Sequence, residues 1–186
     1  MKVTPGMALN TATPFARTNA PAIDTRYLRQ VLGTCVTGVA VITTRDDDGR
    51  PYGLTANPFS SVFLDPPLIL WSQSLTAPSY GVFRHAKRFA INILSVTQVE
   101  VSRRFLSMGV DKFASTPSRP GLGGVPLIEC CAAYLECSHE TELPGGDHAI
   151  FIGRVERFEK AHDATPLAFG GGKYLVAKPH ENSALS

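Results

Sequence analysis

The chain of 186 residues is 44% apolar and 18% charged, and its formal net charge is +2 at pH 7. This length fits one domain with a sizeable core, and the composition excludes a disordered chain. The charge balance argues against nucleic acid and against a membrane surface as partners, because both require clustered basic residues.

The sequence shows no secretory or membrane-spanning pattern. No apolar run approaches the roughly 18 residues of a transmembrane helix. The first 22 residues contain prolines but no apolar stretch of the kind that secretory signals carry. We therefore expect a cytoplasmic protein with a flexible tail over 1–22, one domain over 23–177 and a second tail over 178–186.

The first predicted elements are a helix and two strands. A helix over 24–32 has an apolar stripe and can be capped by Asp24. The β-branched run over 36–44 shows little alternation, which is typical of a strand buried on both faces. A turn of three aspartates and Gly49 then leads into a second strand over 51–56.

The remainder of the chain consists mainly of predicted strands. Thr97 and Glu100 form a capping-box pattern, which predicts a helix running to Leu106. A short helix is predicted over 78–85 and a long loop over 107–126. The other predicted strands cover 60–63, 67–72, 88–94, 127–137 and 148–160, with a last hairpin over 166–176. Many strands and few short helices predict a mainly β fold, a barrel with helices at its rim.

The four cysteines, Cys35, Cys130, Cys131 and Cys137, include no C-x-x-C pair. Their spacing argues against zinc and thioredoxin-like sites, and no metal site is predicted. Their apolar neighbours predict reduced thiols that pack as small hydrophobic side chains.

Two polar segments interrupt the apolar strands. Residues 55–61 (TANPFSS) offer hydroxyl and amide donors that suit a carbonyl-rich ring and a phosphate. Taken alone, this segment is better explained as a polar turn at a strand edge. Residues 71–79 (WSQSLTAPS) cluster hydroxyls before a predicted helix, whose free N–H groups can bind an anion. Helix capping explains one of these hydroxyls but hardly all of them.

Basic residues and one histidine are the remaining candidates for ligand binding or catalysis. Arg103 on the predicted helix and Lys112 in the loop after it can each hold a phosphate, although paired arginines on a helix are more often a solvated face. His148 ends a Gly-Gly-Asp-His run, where it can donate a hydrogen bond, titrate near neutrality or simply pin a turn. The other four histidines are expected at the surface. Rossmann, P-loop and nucleophile-elbow motifs are absent from the sequence.

The order of five segments is more informative than any one of them. They are TCVTGVAVITT at 34–44, GLTANPFSSVFLDPP at 53–67, RFAINIL at 88–94, SRRF at 102–105 with DKF at 111–113, and GDHAIFIGRV at 146–155. In this order the chain resembles the flavin reductase-like, FMN-binding split-barrel family, which supplies the reductase components of two-component flavin monooxygenases. The resemblance implies a mainly β, Greek-key-like split barrel with a few short peripheral helices.

The resemblance also implies a flavin site assembled from several strands. The family's positions near the flavin ring, ribityl chain and phosphate correspond to Thr37, Thr55, Ala56, Asn57, Ser60, Ser61, Ser72, Gln73, Ser74, Arg103 and Lys112. His148 matches a histidine that lies where the nicotinamide stacks on the flavin, which makes it the candidate catalytic residue.

The implied activity is hydride transfer from NADH or NADPH to FMN or FAD. The cofactor supplies this chemistry, so no protein nucleophile, thiolate or metal is required. The resemblance further implies a homodimer, with the reduced flavin passed to a separate oxygenase component. Two alternatives remain: a reductase of a larger acceptor such as a corrinoid, and a flavin-binding electron carrier without nicotinamide turnover.

Overall fold

The computed structural model describes residues 23–56 and 59–178. Within them lie three α-helices, α1 at Thr25–Leu32, α2 at Tyr80–His85 and α3 at Val99–Leu106, and one 3-10 helix at Leu122–Gly124. The strands are β1 Thr37–Gly38, β2 Ala40–Arg45, β3 Pro51–Ala56, β4 Phe59–Leu64, β5 Pro67–Ser74, β6 Arg88–Ile93, β7 Ser118–Pro120, β8 Pro126–Ile128, β9 Ala133–Gly145, β10 His148–Lys160, β11 Leu167–Gly170 and β12 Lys173–Val176.

Seven strands form one antiparallel sheet in the order β3-β2-β6-β9-β10-β5-β4. The two edge strands, β3 and β4, follow each other along the chain. β3 pairs with β2 and also contacts β5, whereas β4 pairs with β5. The two edges are therefore brought together, and the sheet curls into a barrel. A smaller sheet, β1-β11-β12, lies beside it.

Aromatic side chains fill the barrel interior. Trp71 of β5 is fully buried and stacks on Phe151 of β10, with ring centroids 4.4 Å apart. Phe83 of α2 and Phe89 of β6 meet the Trp71 ring edge-on, at 5.1 and 5.7 Å. Such pairs add to the free energy gained by burying the rings. Phe83 thereby fixes α2 against the barrel core.

A second core lies on the outer face of the sheet, under α3, β8 and β11. It includes Val41, Phe105, Leu127 and Leu167. The buried Asn92 of β6 links these layers, because its amide donates to the Val41 carbonyl and accepts from the backbone N–H of Ile128. β2 is buried on both faces as a result, which agrees with its unalternating sequence.

The first part of the chain follows the predicted elements with one break. Asp24 caps α1 by accepting from the N–H groups of Arg26 and Tyr27, as predicted. The predicted strand over 36–44 is divided into β1 and β2. The division falls at Val39, whose N–H donates to Leu167 and whose carbonyl accepts from Leu94. At this residue the chain passes from the small sheet to the large one.

Three other predicted elements differ from the structure. The long loop predicted over 107–126 contains the short strand β7 at Ser118–Pro120, which pairs with β8. The strand over 127–137 is broken into β8 and β9, because Cys130 lies at φ 64, outside extended backbone. The capping box at Thr97 and Glu100 is wrong. Thr97 hydrogen-bonds Ser95 through their hydroxyls, and Glu100 forms an ion pair with Arg103. α3 begins after Gln98 with no side-chain cap.

The cysteines divide into two kinds. All four are free, and Cys131 and Cys137 are buried, as predicted for thiols that pack as hydrophobic side chains. Burial raises the pKa of each of these two thiols to about 12. For Cys35 and Cys130 the packing prediction is wrong, because both are exposed.

Candidate functional site

A cavity of about 770 Å³ opens beside the first half of β3. Its volume is within the range of small-molecule sites, roughly 300–1,000 Å³. Three segments form its walls: the turn and strand at 50–53, the residues before α2 at 78–79, and the loop after α3 at 107–114. The cavity thus lies where the edge strand β3 faces two loops.

Gly53 shapes the wall of this cavity. A Cβ at this position would lie 2.8 Å from Cδ1 of the Phe105 ring and closer still to its Cε1, with Phe113 also in contact. Phe105 is buried, and its ring meets that of Phe113 edge-on at 5.2 Å. A glycine within a strand often marks such a close approach. Gly53 therefore allows α3 and the following loop to pack against β3.

Of the two basic residues predicted to hold a phosphate, Lys112 lines the cavity and Arg103 does not. Its ammonium donates to the carbonyls of Gly53, at 3.1 Å, and Phe105, at 3.0 Å. Burial lowers the pKa of this half-buried side chain. An ammonium has three donors, so two of them fasten the loop to β3 and α3 and one is left for a ligand.

Ser79 connects the cavity to the hydroxyl-rich segment of β5. It lines the cavity, and its hydroxyl accepts from the Gln73 amide at 2.9 Å. Gln73 itself faces the barrel interior and is buried. Its Oε1, like Nε1 of Trp71, has no hydrogen-bond partner among the described residues. Gln73 therefore reaches the cavity through Ser79 and does not line it.

His148 lies on the neighbouring strand at the same end of β5. It pairs with Ser74 across the β10–β5 ladder, while Ser72 pairs with Ile150. The His148 side chain is 45% exposed, and its Nδ1 lies 2.8 Å from Oδ1 of Asp147. The hydrogen bond from His148, followed by its charge, lowers the pKa of Asp147. His148 is not part of the cavity wall.

A further group of candidates surrounds Tyr174 of β12. The Thr55 hydroxyl donates to the Ser102 carbonyl at 2.8 Å, and the hydroxyls of Ser102 and Tyr174 are 3.0 Å apart. Arg103 lies over the Tyr174 ring and pairs with Glu100 at 2.6 Å. Thr37 pairs with Phe169, the neighbour of Tyr174 across the β11–β12 ladder. These contacts join β3, α3 and the small sheet.

The remaining candidates lie at the junction of β3 and β4. Ala56 ends β3 and is buried, whereas Ser60 and Ser61 on β4 are exposed and pair with Leu70 and Ile69. Asn57 lies outside the described residues. The predicted residues that the structure describes thus form three groups around β3, β5 and β12, and among them only Lys112 lines the cavity.

Sequence reasoning missed the outer lining of the cavity, which includes Arg50, Tyr52, Met108 and Val110. The sequence offered one signal for this cavity, because Gly53 is a glycine inside a strand and such a glycine often marks a close approach of another segment.

The prediction of a surface position was wrong for His139. This half-buried ring lies 5.6 Å from Phe151, and its Nδ1 is 3.2 Å from the Ala86 carbonyl, so it packs against the barrel.

Residues 32–178 match the family described as flavin reductase like domain. The chain belongs to this family. The predicted family is therefore confirmed. Across residues 23–56 and 59–178, no helix of this flavin reductase-like protein is both long and apolar enough to cross a membrane.

Several relatives are similar in sequence to most of this chain. A stachydrine N-demethylase reductase subunit of Rhizobium meliloti is 40% identical over 89% of this chain and 73% of its own. The reductase subunit of a flavin-dependent monooxygenase of Mycobacterium tuberculosis is 37% identical over 87% of each chain. A probable flavin reductase of Rhizobium meliloti is 42% identical over 86% of this chain, which spans about half, 51%, of that relative.

Solved structures confirm the predicted split-barrel fold. A homologue of nitrilotriacetate monooxygenase component B from Mycobacterium thermoresistibile superposes with a TM-score of 0.83 at 35% identity, over 88% of this chain and 92% of that one. An NADH:FAD oxidoreductase of Streptomyces globisporus, in complex with NAD and FAD fragments, superposes with a TM-score of 0.80 at 34% identity, over 86% and 96% of the two chains.

Proposed function

We propose that this protein is an NADH-dependent flavin reductase that supplies reduced flavin to a separate monooxygenase. The family match over residues 32–178 carries the proposal. The names of its relatives support it, since they include an FMN reductase (NADH) of Agrobacterium fabrum at 40% identity and reductase components of flavin-dependent monooxygenases. No feature of the described residues favours a corrinoid reductase or an electron carrier.

The cavity beside β3 has the properties that a flavin requires. Its wall combines the Ser79 hydroxyl and the remaining Lys112 donor with the apolar side chains of Met108 and Val110. A flavin mononucleotide also combines an apolar ring face with an anionic phosphate. Donors for the phosphate and apolar contacts for the ring are thus available at one place.

When bound, a flavin would supply the acceptor for a hydride from a reduced nicotinamide. The protein's own residues bind and orient the reactants, and orientation alone can lower a barrier by several kcal/mol, with an upper range of about 7–11. Lys112 fixes the loop at 107–114 to β3, and Gln73 fixes the Ser79 hydroxyl. We assign His148 to the nicotinamide side, with its imidazole orientated by Asp147.

Except for Asn57, which is outside the described residues, the other predicted contacts lie outside the cavity wall and are proposed to contact the part of the flavin that extends beyond it. Polar and small side chains along β1, β3, β4 and β5 are assigned to the flavin: Thr37, Thr55, Ala56, Asn57, Ser60, Ser61, Ser72 and Ser74. Arg103 is assigned to the phosphate.

A homodimer is also proposed. Strand β4 exposes three apolar side chains, Val62, Phe63 and Leu64, and these support a contact between subunits.

Rapid mixing of the protein with each nicotinamide and each flavin tests the proposal. NADH should be oxidised in the presence of FMN or FAD, with bleaching of the flavin absorbance, and NADPH should react more slowly. A flavin that binds without being reduced by either nicotinamide would favour the electron-carrier alternative. The absence of flavin binding would reject the proposal.

The Lys112→Met variant should weaken flavin binding about tenfold. It keeps the length of the side chain but removes the charge, and a charge-assisted hydrogen bond contributes about 1.5–3 kcal/mol. Titration of flavin fluorescence measures the affinity. Lys173→Met is a matched control, because Lys173 is exposed on β12 and is not part of the cavity wall. Equal affinities in both variants would remove Lys112 from the site.

Replacement of the cysteines should leave the catalytic rate of the folded protein unchanged. Serine at the exposed Cys35 and Cys130 should alter the free energy of unfolding by less than about 0.5 kcal/mol. Alanine at the buried Cys131 and Cys137 should cost about 1 kcal/mol each, because a packed sulfur is lost. NADH oxidation and thermal melting measure the two effects. A folded variant that lacks activity would show that a thiol takes part.

A further inference from the structure

The loop after α3, residues 107–116 and here called the cavity loop, supplies one wall of the cavity. Every residue over 107–114 lines it, and no helix or strand occurs in the fully described stretch 107–117. Among the described residues, the backbone hydrogen bonds of the loop lie at its two ends: the Ser107 N–H donates to α3, and the Thr116 N–H donates to the Phe113 carbonyl. The shape of the loop between these ends therefore depends on side-chain contacts.

Arg104, in the last turn of α3, connects the two ends of the cavity loop. Its Nη1 donates to the Ser115 carbonyl and to the Thr116 hydroxyl, at 2.9 Å each. The Arg104 carbonyl accepts from the Ser107 hydroxyl at 2.6 Å. One residue of the helix thus holds the first residue of the loop and the last two.

Thr116 extends this contact into the cavity wall. Thr116 is buried, and its hydroxyl accepts from Arg104 and donates to the Lys112 carbonyl at 2.7 Å. The Lys112 ammonium in turn donates to the carbonyls of Gly53 and Phe105. A chain of hydrogen bonds therefore runs from α3 through the loop to β3. Loss of one buried member leaves its neighbours without a partner, so the chain acts as a unit.

The two adjacent arginines of α3 have different partners. Arg103 is exposed and forms an ion pair with Glu100 at 2.6 Å. Arg104 is half-buried, and within residues 23–56 and 59–178 no carboxylate lies within ion-pairing distance of it. A planar guanidinium holds its donors in a fixed fork, whereas the lysine ammonium is a point charge on a flexible stem. Arg104 is therefore suited to hold the two acceptors of the loop in one arrangement.

We propose that Arg104, acting through Thr116, is a positioning residue that holds the cavity loop in its binding shape before the ligand arrives. The proposal rests on the proposed function, in which the cavity binds the flavin. Arg104 does not line the cavity, so its effect on the reaction passes through the loop. Without this contact, the loop must be ordered when the flavin binds, and binding is weakened by that cost. The KM for flavin therefore depends on Arg104, whereas the rate at saturation does not.

Steady-state kinetics with FMN and FAD test the proposal in Arg104→Met and Thr116→Val, which remove the donor and the hydroxyl that accepts from it. The KM for flavin should rise about 3- to 10-fold, with kcat within about twofold of the wild type, because the ordering of one or two side chains is added to binding. Thr116→Ser restores the hydroxyl and should recover the wild-type KM. Arg29→Met is the matched control, since Arg29 is exposed in the last turn of α1, a helix of the same length as α3.

Trypsin cleavage after Lys112 tests the loop in the ligand-free protein. Lys112 is half-buried, so cleavage there requires the loop to open and reports the population of the open form. Cleavage should be about 3- to 10-fold faster in Arg104→Met and Thr116→Val, in proportion to the rise in KM. It should stay at the wild-type rate in Thr116→Ser and Arg29→Met. Mass spectrometry identifies the product, and a melting curve gives Tm for each variant.

Three results would overturn the inference. An unchanged KM in Arg104→Met and Thr116→Val, at any cleavage rate or Tm, would show that these residues do not position the site. A raised KM with unchanged cleavage after Lys112 would show that they act elsewhere than on the loop. A Thr116→Ser variant as impaired as Thr116→Val would assign the effect to packing and not to the hydroxyl. If the wild-type protein reduces neither FMN nor FAD, the proposed function fails by itself. Faster cleavage would then still support the held loop, and equal cleavage would reject it.

Discussion

The Gly53→Ala variant is expected to unfold with a free energy about 2–3 kcal/mol below that of the wild type, the upper part of the range for overpacking. The added methyl would lie 2.8 Å from Cδ1 of the buried Phe105 ring, so either the ring or β3 must shift. The shift would also move Lys112, which donates to the Gly53 carbonyl. Flavin affinity should therefore fall together with stability.

Gly81→Ala is the matched control for this variant. Gly81 lies in α2, and a Cβ at that position would meet nothing within 4 Å. Alanine in a helix is favoured over glycine by about 0.5–1 kcal/mol, so this control should be slightly more stable than the wild type. Chemical denaturation gives both free energies. An unchanged stability for Gly53→Ala would show that Phe105 can rearrange without cost.

The local pattern of the sequence predicted the barrel strands well because their burial leaves a local signature. The run of β-branched residues in β2 reflects a strand covered on both faces, by the barrel interior and by the second core. The bounds predicted for β3 and β10 are those of the structure. By contrast, the break between β8 and β9 depends on the positive φ of Cys130, and no local sequence pattern predicted that conformation.

The cavity could not be predicted in the same way, because distant segments form it. Lys112 binds the Gly53 carbonyl across 59 residues of sequence. The fit of Phe105 over Gly53 depends on how α3 docks on β3, and a single sequence does not specify that docking. The family resemblance therefore predicted which residues belong to the site. Which of these residues contact one another depends on side-chain packing between distant segments.

Removal of the His148 imidazole is expected to slow hydride transfer about 10- to 100-fold while flavin affinity stays within twofold. Small misplacements of the reacting atoms are costly, roughly 100-fold for 1 Å. Among the described residues, the only side-chain hydrogen bond of His148 is the one from Nδ1 to Asp147, so Nε2 is left for a ligand. The side chain is 45% exposed, so His148→Ala should cost little stability.

The alternative is that His148 pins the hairpin between β9 and β10, and the same variant decides between the two roles. Asp147 is 91% exposed, and Asp147→Asn keeps the imidazole while weakening the hydrogen bond that orientates it. If His148 acts on the nicotinamide, Asp147→Asn should reduce the rate less than His148→Ala, and His148→Gln should recover part of it. Transient kinetics give the rates and a melting curve gives Tm. Wild-type hydride transfer combined with a lowered Tm in His148→Ala would assign the residue to the hairpin alone.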